Sequence, residues 1–255
     1  MSKIGRKMSS IEELKHIGFF VKFVKEEFLE GLLEGKIYMS NLKRYIEMEK
    51  ETKIKGQGDK YEGAHVFKVL NLQILDPETN MVLGTAKAGD FMERHSGTEK
   101  IPVFCFTRFS ADDFVIVEET DDYIRVQLDI SQKEKEVFIK EFGDKAVVLP
   151  ANFPDILSEN ADKQEYKWAK GKVKYLSYEG INEERRQKFD DGDIEILFWK
   201  EDFFKSQREF RFVITSELVE DHLDFKVDCI KEDSMVFDTK QFLDGFCLQF
   251  QFEKE

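Results

Sequence analysis

Four polar side chains set among aromatic residues are the best candidates for chemistry in this chain. They are Lys200, Gln207, Glu209 and Arg211, within residues 198–215, FWKEDFFKSQREFRFVIT. Residues 208–215 read as a strand. Side chains two apart share a strand face, so Glu209 and Arg211 fall on one face and Phe210 and Phe212 on the other. A carboxylate and a guanidinium in register beside an aromatic core form either a structural ion pair or the floor of a polar site.

Two further polar residues interrupt apolar strands. Lys22 breaks FFVKFV, and Thr107 ends IPVFCFT. Unpaired burial of such groups is costly, so each must find a partner or line a solvated cleft. Other chemistries lack their residues. Gly56-Gln57-Gly58 has neither the third glycine nor the strand and helix of a dinucleotide fingerprint, and no GxxxxGK[ST] or GxSxG occurs. His16, His65, His95 and His222 are scattered, with no metal-ligand spacing. The Asp pairs at 112–113, 121–122 and 190–191 read as turns and caps.

Composition narrows the field. The net charge of −13 disfavours nucleic acid, whose phosphates need clustered cations. The charge fits a soluble cytoplasmic protein. Cys105, Cys229 and Cys247 are far apart in apolar runs, and are expected to be reduced, buried small hydrophobes. No apolar leader opens the sequence and no run is long enough to span a bilayer. The 25 Phe supply much of the core.

Hydrophobic periodicity predicts the elements that must position these residues. A helix is expected at 11–16, a strand at 18–24, a helix at 25–33 with Phe28, Leu32 and Leu33 on one stripe, and a strand at 36–39. Asn41 is a plausible cap for a helix through Tyr45 and Met48. Polar stretches at 49–63 and 87–100 read as long loops, and residues 64–85 as a hairpin. Strands follow at 101–107, 114–117 and 123–128. A helix capped by Ser131 covers 132–142, and a strand covers 146–149. Residues 152–165 are irregular or helical, 172–178 a strand, and Asn182 caps a helix to Phe189. Closing strands lie at 223–229 and 246–252. Without a regular βαβ rhythm the fold class is α+β, a mostly antiparallel β core with flanking helices, in one domain over residues 1–255.

The order of short blocks resembles a family of uncharacterised bacterial and phage proteins described as a domain of unknown function. The first block, FLEGLLEGKIYMSN with a later DKYEG, contains Asp59 and Glu62. The second contains Phe106 and Thr107. The third contains Lys200, Gln207, Glu209 and Arg211. This order is also similar to that of ADP-ribosyltransferases. Those place a His or Arg on the first strand, a hydroxyl residue on a middle strand and a Glu on a late strand, around NAD. The nearest matches are Lys22, Thr107 and Glu209, with Lys in place of the forked guanidinium. The resemblance implies an ADP-ribosyltransferase-like fold and an enzyme, or a degenerate relative, acting on NAD or a related nucleotide. It implies Glu209 as the catalytic residue, and Lys22, Thr107, Lys200, Arg211, Asp59 and Glu62 as ligand-binding residues. The alternative is a non-catalytic phage or mobile-element protein that grips a host or phage protein in defence or counter-defence, using its acidic surface and the loops at 49–63 and 87–100.

Overall fold

The computed structural model describes residues 4–52, 56 and 58–252. Residues 53–55 and 57 of the expected loop at 49–63 lie outside the described residues. Near the start, a 3₁₀ turn covers Met8–Ser10. Residues 11–16, expected as a helix, form successive turns instead, with Leu14 N bonding Ile11 O and Ile17 N bonding Leu14 O. The strand at Gly18 begins before a regular helix can propagate.

Strand β1 (Gly18–Val24) leads through α1 (Glu26–Leu33) to β2 (Lys36–Asn41). Leu32 and Leu33 are buried, whereas Phe28 is exposed. Asn41 caps α2 (Leu42–Thr52), its Oδ1 accepting from Arg44 N at 3.1 Å. Strands β3 (His65–Leu75) and β4 (Val82–Glu93) make a long hairpin. β4 therefore takes up half of the loop expected at 87–100. A two-stranded arm meets water on both sides, so its strands have no continuous buried face to reveal the period.

The chain continues through β5 (Pro102–Ser110), β6 (Phe114–Glu119), β7 (Tyr123–Leu128), α3 (Gln132–Glu141), β8 (Lys145–Val148) and α4 (Phe153–Lys163). A capping box between Ser131 and Glu134 opens α3. After its end, Gly143 has φ +132°, and a Cβ there would lie 2.4 Å from the Val24 carbonyl carbon. That close approach presses the end of α3 against β1. The expected strand at 172–178 is two strands, β9 (Trp168–Lys172) and β10 (Lys174–Leu176). They divide at Val173, whose N bonds Glu209 O at 2.9 Å while the chain passes from one sheet to another.

Next come α5 (Glu183–Asp190), β11 (Trp199–Glu201), β12 (Glu209–Ile214), β13 (His222–Lys226), β14 (Met235–Asp238), α6 (Thr239–Gly245) and β15 (Cys247–Gln251). β14 and α6 escape the hydropathy reading. Yet Asp238 is a strong cap, accepting from Lys240 N and Gln241 N.

These elements form an α+β fold with mostly antiparallel sheets. The main sheet runs β13-β2-β5-β1-β8-β14, with β12 and β9 continuing from β5. A smaller sheet, β15-β7-β6, encloses one core with Val21, Phe23, Phe109, Phe138 and Phe242. On the opposite side Phe104, Phe106 and Phe212 pack with Phe153 and Leu157 of α4. The cysteines depart from the expected burial, Cys105 being half-buried and Cys229 and Cys247 exposed; all three are free. Cys229 falls beyond β13, and Cys247 lies on the outer strand of the smaller sheet.

One feature of the main sheet creates a site. β5 pairs with β12 along one edge, from Thr107↔Glu209 to Val103↔Val213. On its other edge, β2 pairs only with Pro102 and Val103, and β1 only with Thr107 through Ser110. No strand pairs with residues 104–106 on that edge among the described residues. β1 and β2 diverge there, and the gap opens into a groove.

Candidate functional site

Register puts Glu209 beside Thr107 and Arg211 beside Cys105 on one face of adjacent strands. β10 and β11 run parallel next to them and bring in Tyr175 and Lys200. The loop before β3 brings in Glu62. Lys200 Nζ donates to Glu209 Oε2 and to Gln207 Oε1, both at 2.9 Å, and lies 3.4 Å from Glu62 Oε1. Arg211 Nε donates to Glu209 Oε1. Arg211 Nη2 donates to Glu62 Oε1 at 2.8 Å and Nη1 to Leu197 O at 2.7 Å. Glu209 N donates to Tyr175 Oη at 2.8 Å. Two carboxylates and two cations thus form a closed network in which all four side chains are buried.

The network fixes charge states. Burial alone would push the Glu209 carboxyl up, but Arg211 and Lys200 outweigh it and hold Glu209 well below the usual carboxylate range. Burial would likewise lower Lys200, and Glu209 and Glu62 overcome it, so Lys200 sits above an ordinary lysine. Burial pushes the Cys105 thiol far up, as does the Glu209 charge, so Cys105 is a neutral thiol and a poor nucleophile.

Lys22 occupies the gap in the sheet. Its Nζ donates to Cys105 O at 2.7 Å, one of the carbonyls on the unpaired edge, and lies 4.6 Å from the centre of the Phe104 ring. Burial lowers its pKa, while the Glu209 charge works in the opposite direction. An ammonium with one hydrogen bond retains donors for an anionic group.

Lys22, Thr107, Glu62, Lys200, Glu209 and Arg211 all line one cavity of about 50 Å³, alongside Cys105, Tyr45 and Gln207. Of the candidates named from sequence, Asp59 alone does not line it. Asp59 is completely buried, with Oδ1 accepting from Tyr61 N at 2.9 Å and Oδ2 without a hydrogen-bond partner among the described residues. Burial and the Glu62 charge raise its pKa to about 7. Thr107 Oγ1 donates to Gln207 O at 3.3 Å, and Gln207 Nε2 donates to Gly56 O at 2.8 Å. A Cβ on Gly58 would lie 2.7 Å from Glu49 N and Tyr45 O, so glycine lets this connection press against α2.

The cavity adjoins a groove of about 1260 Å³ that shares Lys22, Tyr45, Val103, Cys105 and Phe142 with it. Lys25, Lys36, Arg44, Lys140 and Lys226 line the groove, with Glu27, Glu141, Asp144, Asp221 and Asp224 among them. Arg44, Lys140 and Lys226 form no ion pair among the described residues. Phe28 and Tyr38 add exposed aromatic surface, and Tyr38 stacks on His222 with ring centres 4.4 Å apart. In a chain of net charge −13, this groove is nearly balanced, with six cations including Lys22 against five carboxylates, and it carries rings beside an inner polar cavity.

Sequence reasoning missed Tyr45, Cys105 and Tyr175. Cys105 was accessible to it, because Val103, Cys105 and Thr107 alternate as Glu209 and Arg211 do. Tyr45 and Tyr175 depend on contacts between distant segments. Among the described residues no group of three or more His, Cys, Asp or Glu could hold a metal ion, and no helix is long and apolar enough to cross a membrane. No protein-family model, curated protein or solved structure matches this chain.

Proposed function

We propose that the groove binds NAD or a related nucleotide, and that Glu209 assists departure of the base from its ribose, for hydrolysis or for transfer to an acceptor. The observation that carries this reading is the convergence of Lys22, Thr107 and Glu209 on one cavity at the inner end of a groove of mixed charge. Their order along the chain is the one that resembles ADP-ribosyltransferases.

Each residue has a role its chemistry allows. Lys22 and the groove cations offer charge to the phosphates. Tyr38 and Phe28 offer rings against which a base can stack. Glu209, kept ionised by Lys200 and Arg211, offers a fixed negative charge to the positive charge that develops on the anomeric carbon as the base leaves. Lys200 and Arg211 are positioning residues, because they act through Glu209.

Calorimetry with NAD, together with a nicotinamide-release assay, tests the reading. Wild type is expected to bind and release nicotinamide, and Glu209→Gln to bind while release falls by at least about 100-fold. Absence of both binding and release in folded wild type overturns it.

A further inference from the structure

We propose that the root of the β3–β4 arm belongs to the machinery of the cavity, with Arg94 and Lys68 as positioning residues that set Glu62 and Lys200. This rests on the nucleotide reading for the use of the cavity, but the positioning itself is measurable without any nucleotide.

Glu62 lies in the turns between α2 and β3, so no helix or strand of its own holds it. The end of β4 supplies the hold. Arg94, one residue beyond β4, donates from Nε to Glu62 O and from Nη2 to Lys60 O, both at 3.0 Å. Between those two residues, Tyr61 Oη donates to Asp90 Oδ2 of β4 at 2.8 Å. One strand end thus fixes three consecutive residues. A forked guanidinium can bridge two carbonyls two positions apart, and a single ammonium matches that geometry poorly.

The other strand of the arm makes the second tie. Lys68 Nζ lies 3.2 Å from Glu201 Oε1, on the residue that follows Lys200 in β11. Lys68 N donates to Tyr178 O at 3.0 Å and Gly180 N to Lys68 O at 3.1 Å. Arg185 adds bonds to Val66 O and Ser177 O. These bonds hold β3 to the segment after β10, and β10 sets Tyr175 beside Lys200. Tyr175 Oη in turn accepts from Glu209 N.

The root of the arm therefore reaches Glu62, Lys200 and the tyrosine that holds Glu209. The contacts it supports are short. Glu62 Oε1 accepts from Arg211 Nη2 at 2.8 Å and lies 3.4 Å from Lys200 Nζ. Charge-assisted bonds of this kind are lost when one partner shifts by about 1 Å. If residues 60–62 slip, Arg211 loses its second carboxylate and water can enter beside Cys105, which lines the same cavity.

Alkylation of Cys105 by iodoacetamide tests the proposal, in the full chain carrying Cys229→Ser and Cys247→Ser. Arg94→Met is expected to raise the rate at least about 10-fold, as for one lost charge-assisted hydrogen bond. Arg94→Lys is expected to fall between that and wild type, and Lys68→Met to give a smaller rise because its ion pair is partly exposed. Val126→Ala, in the smaller sheet, controls for lost stability and is expected to leave the rate within about twofold of wild type. In a Glu62→Gln background Arg94→Met is expected to add less than about twofold, since both changes act through one side chain. If Arg94→Met fails to fold, Arg94→Lys decides. Unchanged rates in the folded Arg94 variants, equal acceleration by Val126→Ala, or an undiminished effect of Arg94→Met without the Glu62 carboxylate each overturns the proposal, and an unchanged rate in Lys68→Met overturns the second tie. Absence of NAD binding and nicotinamide release in wild type defeats the nucleotide reading alone, because alkylation needs no nucleotide.

Discussion

Arg211 Nη2 donates to Glu62 Oε1 at 2.8 Å, joining β12 to the loop before β3 across 149 positions of sequence. The same guanidinium holds Glu209 and the Leu197 carbonyl. One side chain therefore ties together three segments and sets the charge balance beneath the cavity.

Replacing Arg211 by Met is expected to destabilise the protein by about 3–5 kcal/mol, because it leaves Glu62 and Glu209 buried with only Lys200 to oppose them. Arg211→Lys should recover part of this loss, but a point charge cannot satisfy three acceptors as the guanidinium does. Urea denaturation checks it. The midpoint should fall with an unchanged slope for Arg211→Met, and an unchanged midpoint would show that the pair contributes little. The choice left open by the sequence, structural pair or polar site, is thus not exclusive: the pair builds the wall of the cavity.

Lys22 makes a separable prediction. It bonds one exposed-edge carbonyl and lies outside the Glu62–Lys200–Glu209–Arg211 network. Lys22→Met keeps the length of the side chain and its contact with Phe104 while removing the charge. It should lower affinity for a phosphate-bearing ligand at least about 10-fold, a loss of roughly 1.4 kcal/mol or more. Stability should change far less than for Arg211→Met. Parallel NAD calorimetry and urea titrations check this, and equal affinity in wild type and Lys22→Met would remove Lys22 from the binding site.

Much of the fold was legible because local rules suffice for its elements. Ser131, Asn41 and Asn182 cap helices as their side-chain chemistry dictates, and period-two alternation places Glu209 and Arg211 on one face. The polar interruptions Lys22 and Thr107 marked residues that must pair or line a cleft, without choosing between the two. What local rules could not supply is the divergence of β1 and β2 along β5. It depends on pairing between segments more than 60 residues apart, and it creates both the groove and the contact of Lys22 with Cys105. The arm was misread in its second strand for the opposite reason: exposure on both sides erased the pattern that marks a strand.

Asp59 gives the stability of the fold a pH dependence. It is buried beside Glu62, its Oδ2 lacks a hydrogen-bond partner among the described residues, and its pKa is raised to about 7 from an ordinary 3.8. A raised carboxyl pKa means that the folded state binds the proton more tightly than the unfolded state. Its contribution to stability is fully present below about pH 4 and is lost progressively as pH rises to about 7. Taken alone, a shift of this size corresponds to roughly 4 kcal/mol. Asp59→Asn keeps the shape of the side chain and cannot ionise. It is expected to be more stable than wild type at pH 8, with the advantage shrinking as pH falls towards 5. Urea midpoints measured from pH 5 to pH 8 check the sign. An Asp59→Asn advantage that grows towards low pH would show that Asp59 is ionised and stabilising in the folded protein, reversing its charge assignment.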